Sequence, residues 1–440
     1  MGSGAESLAY RVAGTLRRAG YQAYLVGGCV RDLLLGAAPK DFDVSTDAPP
    51  ERILELFPGS GQVGAHFGVV LVRNGTPEGR AHVEVATFRS DHDYADGRRP
   101  SRVQFETDPR QDVLRRDFTI NGLMMDPENR QVLDFVGGRA DLEARLVRAI
   151  GDPELRFRED HLRMLRAVRF AARLKFRIET RTMEAIRRNH SAIVRVSAER
   201  VREELVRILT EGGARYGFEL LDASGLLGDL LPEVASMKGV QQPPEFHPEG
   251  DVWVHTLLLL EKLERPTPTL AWGALLHDAG KPPTFRVAER IRFDGHVEEG
   301  VRLARDILTR LRFSREDEEQ IEALVANHMR FKDVDRMKES TLKRFLRLPR
   351  FEEHLELHRL DCLASHCRLE NYEFVRRKLE ELPAEQLKPK PLLTGNDLIA
   401  AGYRPGPAFS KMLAAVEDAQ LEGRIHSKEE ALELVRGLPW

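Results

Sequence analysis

Two aspartates, Asp41 and Asp43, have the type and spacing to do chemistry. They stand two positions apart in an alternating segment, so strand periodicity places both carboxylates on one face, about 6–7 Å apart. Carboxylates at this spacing can hold hard divalent cations such as Mg²⁺, which predicts a metal site at these two residues. Glu84, on a second alternating segment at 82–88, is a candidate third acidic residue and equally a solvated strand charge.

A glycine turn precedes the aspartates. The apolar run 23–26 predicts a short buried strand, Gly27 and Gly28 allow a tight turn, and a helix begins after them. This order exposes backbone N–H groups and a helix N-terminus, which suit a phosphate, and Arg31 adds a cationic fork for a triphosphate. Each pattern alone is more often structural, but together they favour a nucleotide site beside a cation.

A third polar stretch, RRDFTIN, lies at 115–121. The pattern predicts a helix over 112–123, with Asp117 and Asn121 on one face at i and i+4. Arg116 can clamp a triphosphate bidentately, and the two polar side chains can contact a ribose hydroxyl. The alternative is a capped amphipathic helix that carries surface salt bridges.

A charge row then follows at every third position: Asp160, Arg163, Arg166 and Arg169. Such a row is usually a solvated helix face. Cytosine and adenine, however, each present an amino donor beside an unprotonated ring nitrogen, whereas an aspartate only accepts and an arginine only donates. Asp160 and Arg163 can therefore admit C and A and exclude U and G, at roughly 1–3 kcal/mol for each group left unsatisfied.

A second cluster of ligand-type residues lies in the C-terminal half. Imidazoles with carboxylates suit transition metals such as Mn, Ni, Fe or Zn, and a bound metal can activate water against a phosphoester. Because adjacent His and Asp cannot share one face of a straight helix, a terminus or bend is expected at 277–278. The candidate ligands are His255, His277, Asp278, His296, His328 and Asp361.

These motifs together resemble the class II nucleotidyltransferases, which comprise CCA-adding tRNA nucleotidyltransferases and bacterial poly(A) polymerases. The matching segments are GGCVRD at 27–32, DFD at 41–43, RRDFTIN at 115–121 and EDHLR at 159–163, and the order H, HD, H, H, D resembles the HD phosphohydrolase domain. The resemblance implies template-independent addition of C and A to tRNA 3′ ends from CTP and ATP, with two Mg²⁺ ions on Asp41 and Asp43. It implies nucleotide contacts from Gly28, Arg31, Arg116, Asp117, Asn121, Asp160, Arg163, Arg166 and Arg169.

Two other functions stay open beside this interpretation. One is a poly(A) polymerase, whose relatives tend to carry a basic Gly-Arg-Arg-Phe strand where this chain has AHFGVV at 65–70. The other is a non-catalytic RNA-binding or HD protein with a decayed transferase head, against which the intact aspartates argue. The polar segment 90–102 is predicted to be a mobile loop between strands, and the sheet is expected to resume at 103–105.

Composition limits the remaining classes. The net charge of −3 over 440 residues gives no global basic signal, so an RNA site must be a local patch. Three cysteines without zinc-type spacing favour a reducing, cytoplasmic setting. No run of about 18 apolar residues predicts a membrane span, and the N-terminus does not read as a signal peptide.

The predicted fold class is α+β: a small mixed-sheet nucleotidyltransferase head is followed by mostly helical neck, body, HD and tail domains. The boundaries are 1–145 for the head, 146–240 for the neck and body, 241–370 for the HD domain and 371–440 for the tail. Helices are predicted at 139–150, 180–189 and 198–210, the last with Ser197 as N-cap, and a helix pair at 217–233 breaks at Gly225. The Pro- and Gln-rich segment 241–250 is predicted to be a linker.

Overall fold

The structure is a computed structural model, which describes residues 4–62, 68–76, 79–94, 100–245 and 247–438. Within it, the chain divides into two compact units, Met1–Pro232 and Glu233–Trp440. The first unit contains a mixed sheet followed by helices, and the second is almost entirely helical. The α+β class predicted from the sequence is therefore confirmed.

A seven-stranded sheet forms the head, in the order β3-β4-β5-β2-β1-β8-β9. Val26, Phe88, Val113 and Met124 form a buried cluster beside it. The two central strands, β1 and β2, are antiparallel, whereas β2 and β5 are parallel. The strands are β1 (Ala23–Val26), β2 (Asp43–Thr46), β3 (Gly61–Gln62), β4 (Val69–Thr76), β5 (Gly79–Thr87), β8 (Leu123–Met125) and β9 (Val132–Asp134).

The segment predicted as a mobile loop at 90–102 is largely a hairpin. Strands β6 (Arg89–Tyr94) and β7 (Pro100–Phe105) pair antiparallel in a two-stranded sheet of their own, so 103–105 does not rejoin the main sheet. In β7, Val103 and Phe105 alternate with polar residues as in a strand, whereas β6 is polar nearly throughout and carries no such signal. Residues 95–99, like residues 65–67 of the AHFGVV segment, lie outside the described residues.

Helices cover the sheet and make up most of the chain from 138 to 235. The first five are α1 (Gly4–Arg18), α2 (Gly28–Leu34), α3 (Pro50–Leu56), α4 (Pro109–Leu114) and α5 (Gly138–Glu143). The next seven are α6 (Pro153–Glu159), α7 (Arg163–Leu174), α8 (Thr180–Asn189), α9 (Ala198–Thr210), α10 (Ala214–Ser224), α11 (Leu226–Leu230) and α12 (Pro232–Ala235). The predicted helices at 180–189 and 198–210 and the break at Gly225 are confirmed.

The predicted helix over 112–123 is wrong. Helix α4 ends at Leu114, and only a short 3-10 turn, Thr119–Asn121, follows. Phe118 is extended between them, because its backbone bridges Ala149 and its buried ring packs edge-on against Phe170 at 5.8 Å. Tertiary pairing thus overrides the local helical pattern.

Three smaller expectations are also corrected. The helix expected over 139–150 ends at Glu143, and β10 (Leu146–Val147) pairs in parallel with β11 (Arg177–Ile178). Asp160 is the C-cap of α6 rather than a member of the same helix as Arg163. Ser197 occupies the N-cap position of α9, but its side chain makes no capping hydrogen bond.

The second unit consists of helices with one small hairpin, β12 (Arg286–Val287) and β13 (Ile291–Arg292). Two apolar clusters lie in it, one around Phe331 and Phe345 and one around Met412 and Val416. Its first six helices are α13 (Val252–Glu261), α14 (Pro268–Leu276), α15 (Lys281–Thr284), α16 (His296–Arg310), α17 (Arg315–Asn327) and α18 (Glu339–Leu346). The last six are α19 (Phe351–Ala364), α20 (Glu370–Glu381), α21 (Ala384–Leu387), α22 (Gly395–Ala400), α23 (Ala408–Leu421) and α24 (Lys428–Gly437).

Among the described residues, we find no helix with both the length and the apolar character needed to cross a bilayer.

Candidate functional site

The Gly27–Gly28 turn lies directly beside β2, the strand that begins at Asp43. In the β1–β2 register, Val26 pairs with Asp43, so the chain enters the turn next to that carboxylate. Gly27 has a φ of +73°, and a Cβ there would lie 3.2 Å from Nη1 of Arg116. Glycine is therefore needed both for the left-handed backbone and for the close approach of this guanidinium. The Gly27–Gly28 turn, the guanidinium of Arg116 and the carboxylate of Asp43 form one polar corner of the head.

Arg116 is held in this corner by a carboxylate that we did not single out from the sequence. Its Nη2 donates to Asp112 at 2.9 Å and to Ser45 at 3.2 Å. Asp112 is fully buried and also accepts from Arg115 at 2.6 and 2.9 Å. Burial opposes ionisation of Asp112, but the two arginines hold its pKa below the usual value. The only sequence signal for this role was its spacing of three and four residues from the arginines.

The electrostatics of Asp43 suit a bound cation. Burial first, and then the nearby Glu84 and Asp41, raise the pKa of Asp43 to about 6, although Arg116 opposes them. Glu84 is directly opposite Asp43 in the parallel β2–β5 register, and Asp41 lies just before β2 and is exposed. A divalent cation here would relieve the repulsion between these carboxylates.

The same residues do not form a closed metal cage. Among the described residues, the groups of three ligand atoms within 4.8 Å of one another all lie in the second unit. Mg²⁺ commonly binds through one or two carboxylates and completes its shell with substrate phosphates and water. Asp41 and Asp43 fit that kind of open site.

Arg31 is buried beside the glycine turn, and that it contacts the triphosphate stays a prediction. It is only 2% exposed, and its guanidinium contacts Asp32 at 2.7 Å and donates to Asn121 Oδ1 at 2.6 Å. Its cation also lies 5.3 Å from the centre of the Phe170 ring. These contacts place Arg31 beneath the glycine turn, where it connects α2 to the RRDFTIN segment.

Asp117 and Asn121 are brought together despite the absence of the predicted helix. Asn121 Nδ2 donates to Asp117 Oδ1 at 3.2 Å. The other carboxylate oxygen accepts from Arg166 Nε and Nη2 at 2.9 and 2.6 Å. Burial opposes the charge on Asp117, but Arg166 and Asn121 lower its pKa to about 2. A continuous chain of polar contacts therefore runs from Arg31 through Asn121 and Asp117 to helix α7.

Asp160 and Arg163 are each fixed by a neighbour. Asp160 accepts from Nη2 and Nη1 of Arg200, on α9, at 2.8 and 3.3 Å. Arg163 donates to Glu159 at 2.7 Å and to the carbonyl oxygen of Arg115 at 3.1 Å. Arg200 is a residue whose role sequence reasoning missed, since only the fold brings α9 against the end of α6.

Arg169 is turned into the helical core. It is 1% exposed, its Nε is bonded to Glu204, and its guanidinium lies 4.1 Å from the centre of the Phe170 ring. Burial holds the pKa of Arg169 below its usual value despite Glu204. That Arg169 contacts a nucleotide stays a prediction.

The second unit gathers the six predicted HD ligands. His277 caps the C-terminal end of α14, as expected for a terminus at the His-Asp pair. Nε2 of His255 lies 3.3 Å from Nε2 of His277 and 3.1 Å from Oδ1 of Asp361. Asp278, His296 and His328 form a second group whose ligand atoms lie within 4.8 Å of one another. Either group could hold one transition-metal ion.

Orphaned nitrogens support this assignment. The Nε2 atoms of His296 and His328 are buried without a hydrogen-bond partner, while each ring uses Nδ1 on a backbone carbonyl. Burial and the neighbouring His277 lower the pKa of His328 to about 4, so the ring is neutral at pH 7 and offers a lone pair. The donor set therefore fits a transition metal.

The carboxylate of Asp278 is paired with the ammonium group of Lys281. Asp278 Oδ2 contacts Lys281 Nζ at 2.7 Å, and Gln242, from the predicted linker, accepts from the same ammonium at 2.6 Å. A Cβ at Gly280 would lie 2.0 Å from the carbonyl oxygen of His296, so this glycine lets α16 approach the His-Asp turn. Burial opposes ionisation of Asp278, but His277 and Lys281 hold its pKa well below the usual value.

Three family models match successive segments of the chain. The family model described as the poly A polymerase head domain matches residues 23–148, and the HD domain model matches 252–363. Between them, the model described as a probable RNA and SrmB-binding site of polymerase A matches 175–238. Fold and site thus define a nucleotidyltransferase head joined to an HD domain.

A relative of nearly full length gives the family. The CC-adding tRNA nucleotidyltransferase of Thermus thermophilus is 35% identical over 429 residues, covering 93% of this chain and 92% of that protein. The chain therefore belongs to the tRNA nucleotidyltransferase family. The CCA-adding enzyme of Lactobacillus helveticus is 42% identical over 253 residues, 56% of this chain. Matches to such curated CCA-adding enzymes span 53% to 62% of their length.

Solved structures share the fold. The Bacillus stearothermophilus CCA-adding enzyme in complex with CTP superposes with a TM-score of 0.74 at 26% identity, over 99% of this chain and 98% of that one. The Thermotoga maritima CCA-adding enzyme complexed with tRNA gives a TM-score of 0.59 at 21% identity, over 98% and 94% of the two chains. The latter likeness concerns the fold alone.

Proposed function

We propose that this protein adds C and A nucleotides, as CCA or as part of it, to tRNA 3′ ends without a template, using CTP and ATP. The single observation that carries the proposal is the corner formed by Asp43, the Gly27–Gly28 turn and Arg116. Family membership supports it, since the nearly full-length relative is named CC-adding and partial-length relatives are named CCA-adding.

In the proposed reaction, the tRNA 3′-hydroxyl attacks the α-phosphorus in line, a new P–O bond forms, and pyrophosphate leaves. Mg²⁺ ions held by Asp41 and Asp43 would supply charge neutralisation and lower the pKa of the attacking hydroxyl. The backbone N–H groups at Gly28 and the N-terminus of α2 cradle the triphosphate, and Arg116 pairs with it. Arg31 holds the turn in place from below.

Base selection is assigned to Asp160 and Arg163. Asp160 accepts from the exocyclic amino group of C or A, and Arg163 donates to the adjacent ring nitrogen. Asp117, Asn121 and Arg166 orient the sugar and connect the phosphate corner to α7. Residues 146–240 thus act as the neck and body, after the head at 1–145.

A second activity is proposed for the HD centre. The convergence of His255, His277 and Asp361, beside the unpartnered Nε2 atoms of His296 and His328, favours metal-dependent phosphoester hydrolysis. We also propose that the HD domain spans residues 241–370 and the tail residues 371–440. The proposed location of the protein is the cytoplasm.

The test incubates the purified protein with three tRNAs, ending before the first C, after CC, and complete. CTP and ATP are supplied singly and together, and the products are sequenced. CCA, CC-only or A-only addition each support a tRNA nucleotidyltransferase of that specificity, whereas long A tails would point to a poly(A) polymerase.

Matched variants assign the two sites separately. Asp43→Asn is expected to slow nucleotide addition by at least about 100-fold, because several kcal/mol of transition-state stabilisation are lost. The exposed Glu51→Gln is the control in the same unit. His277→Ala with Asp278→Ala is expected to abolish phosphodiester hydrolysis with Ni²⁺ and leave addition intact; unchanged hydrolysis would remove the HD proposal.

A further inference from the structure

The predicted linker before α13 contains a buried carboxylate. Oε1 of Glu249 accepts from Nδ1 of His255 at 2.7 Å and from Nδ1 of His247 at 2.9 Å. The Glu249 side chain is 6% exposed, whereas Glu245 in the same segment is exposed. Burying a carboxylate is costly unless it is paired. Its place against His255 therefore needs a physical reason.

The four histidines of the HD centre differ in what holds Nδ1. In three of them Nδ1 contacts the backbone carbonyl three residues earlier: His277 to Ala274, His296 to Phe293 and His328 to Val325. His255 lies inside α13, where backbone carbonyls accept from the N–H groups of the helix. It uses the side chain of Glu249 instead.

This contact determines what His255 presents to the centre. An imidazole that donates from Nδ1 can offer a lone pair at Nε2 once that nitrogen is unprotonated. Nε2 of His255 converges with Nε2 of His277, at 3.3 Å, and with Oδ1 of Asp361, at 3.1 Å. Rotation of the His255 ring would remove one of these three atoms.

We propose that Glu249 is a positioning residue of the HD metal centre: it holds His255 through Nδ1 so that Nε2 faces a divalent transition-metal ion beside His277 and Asp361. This rests on the HD site proposed above. A carboxylate in this position also increases the basicity of the ligating nitrogen. Loss of such a partner typically lowers metal affinity by about 10–100-fold.

The test is calorimetric titration of the metal-free, full-length protein with Ni²⁺, at one pH that is the same for every variant. Glu249→Ala is expected to bind Ni²⁺ about 10–100-fold more weakly than the unmodified protein. Glu249→Gln keeps an acceptor oxygen at the same place and is expected to recover part of the loss. Glu245→Ala, an exposed glutamate in the same segment, is the matched control and is expected to bind normally.

Co²⁺ absorption and thermal unfolding complete the design. The visible bands of bound Co²⁺ are expected to change in Glu249→Ala and to be nearly normal in Glu249→Gln. Equal Ni²⁺ affinity and an unchanged Co²⁺ spectrum in Glu249→Ala would overturn the role of Glu249 and leave the metal centre standing. A lowered unfolding temperature in Glu249→Ala, together with no recovery of Ni²⁺ affinity in Glu249→Gln, would also overturn it. Absence of Ni²⁺ and Co²⁺ binding by the unmodified protein would instead remove the metal centre itself.

Discussion

Arg200 donates to both carboxylate oxygens of Asp160, at 2.8 and 3.3 Å, across the junction between α9 and the end of α6. Asp160 is thereby oriented before any base arrives. Because it is the acceptor in the proposed base selection, its orientation should matter more for discrimination than for phosphate binding.

Arg200→Ala is expected to reduce the preference for CTP over UTP by about tenfold, equivalent to about 1.4 kcal/mol, since a freely rotating carboxylate accepts less selectively. The measurement is kcat/KM for CTP and UTP on a tRNA that lacks CCA. The exposed Arg195, substituted by Ala, serves as control. An Arg200→Ala enzyme that still rejects UTP as before would show that Asp160 does not need this partner.

The raised pKa of Asp43 gives a stability prediction for the metal-free protein. The ordinary pKa of an aspartate, which applies to the unfolded chain, is 3.8, and the pKa of Asp43 in the folded chain is about 6. The folded state therefore binds the proton more tightly. Between these values the folded form holds the proton and the unfolded form does not, so stability falls as pH rises, by up to about 3 kcal/mol.

The quantity to measure is the free energy of urea unfolding, with a chelator present, from pH 4 to pH 7. The stability of the unmodified protein relative to Asp43→Asn is expected to fall across this interval. Addition of Mg²⁺ should restore it at pH 7. Parallel pH profiles for the two proteins would contradict the assigned burial and repulsion at Asp43.

Arg31 is expected to act on stability through Asp32 and Asn121. Arg31→Ala leaves a buried carboxylate and a buried amide without their main partner, and should lower the free energy of unfolding by about 2–4 kcal/mol. Arg52→Ala, which removes an exposed pair with Glu55, is the control and should leave the free energy of unfolding nearly unchanged. Normal stability in Arg31→Ala, together with a raised KM for CTP, would make Arg31 a direct triphosphate ligand instead.

Metal binding at the HD centre should release a proton. Burial opposes the charge on His255, but Asp361 and Glu249 raise its pKa to about 9, so the ring is charged at pH 7 in the metal-free protein. An ion that takes Nε2 must displace that proton, and apparent affinity should therefore rise with pH up to about 9. Calorimetry in buffers of different ionisation enthalpy should give about one proton per ion; a heat that is independent of buffer would rule this out.

The sequence by itself determined the chemistry-bearing residues and the elements with strong local signals. The strand at Ala23–Val26, a helix directly after the glycine turn and the helices Thr180–Asn189 and Ala198–Thr210 follow from periodicity and turn residues. The helix end at His277 followed from the geometry of adjacent side chains. These features depend on near neighbours in the chain, which is why a pattern can reveal them.

Only the tertiary structure decided how the polar groups pair. Phe118 is extended because its backbone bridges Ala149 and its ring packs against Phe170. The described parts of the charged segment 90–102 pair as two antiparallel strands. Buried Arg31 donates to Asn121, ninety positions away. Glu249, in the segment predicted to be a linker, accepts from His255. A buried charge takes whichever partner the packing brings within hydrogen-bond reach, and that partner is set by long-range contacts rather than by local spacing.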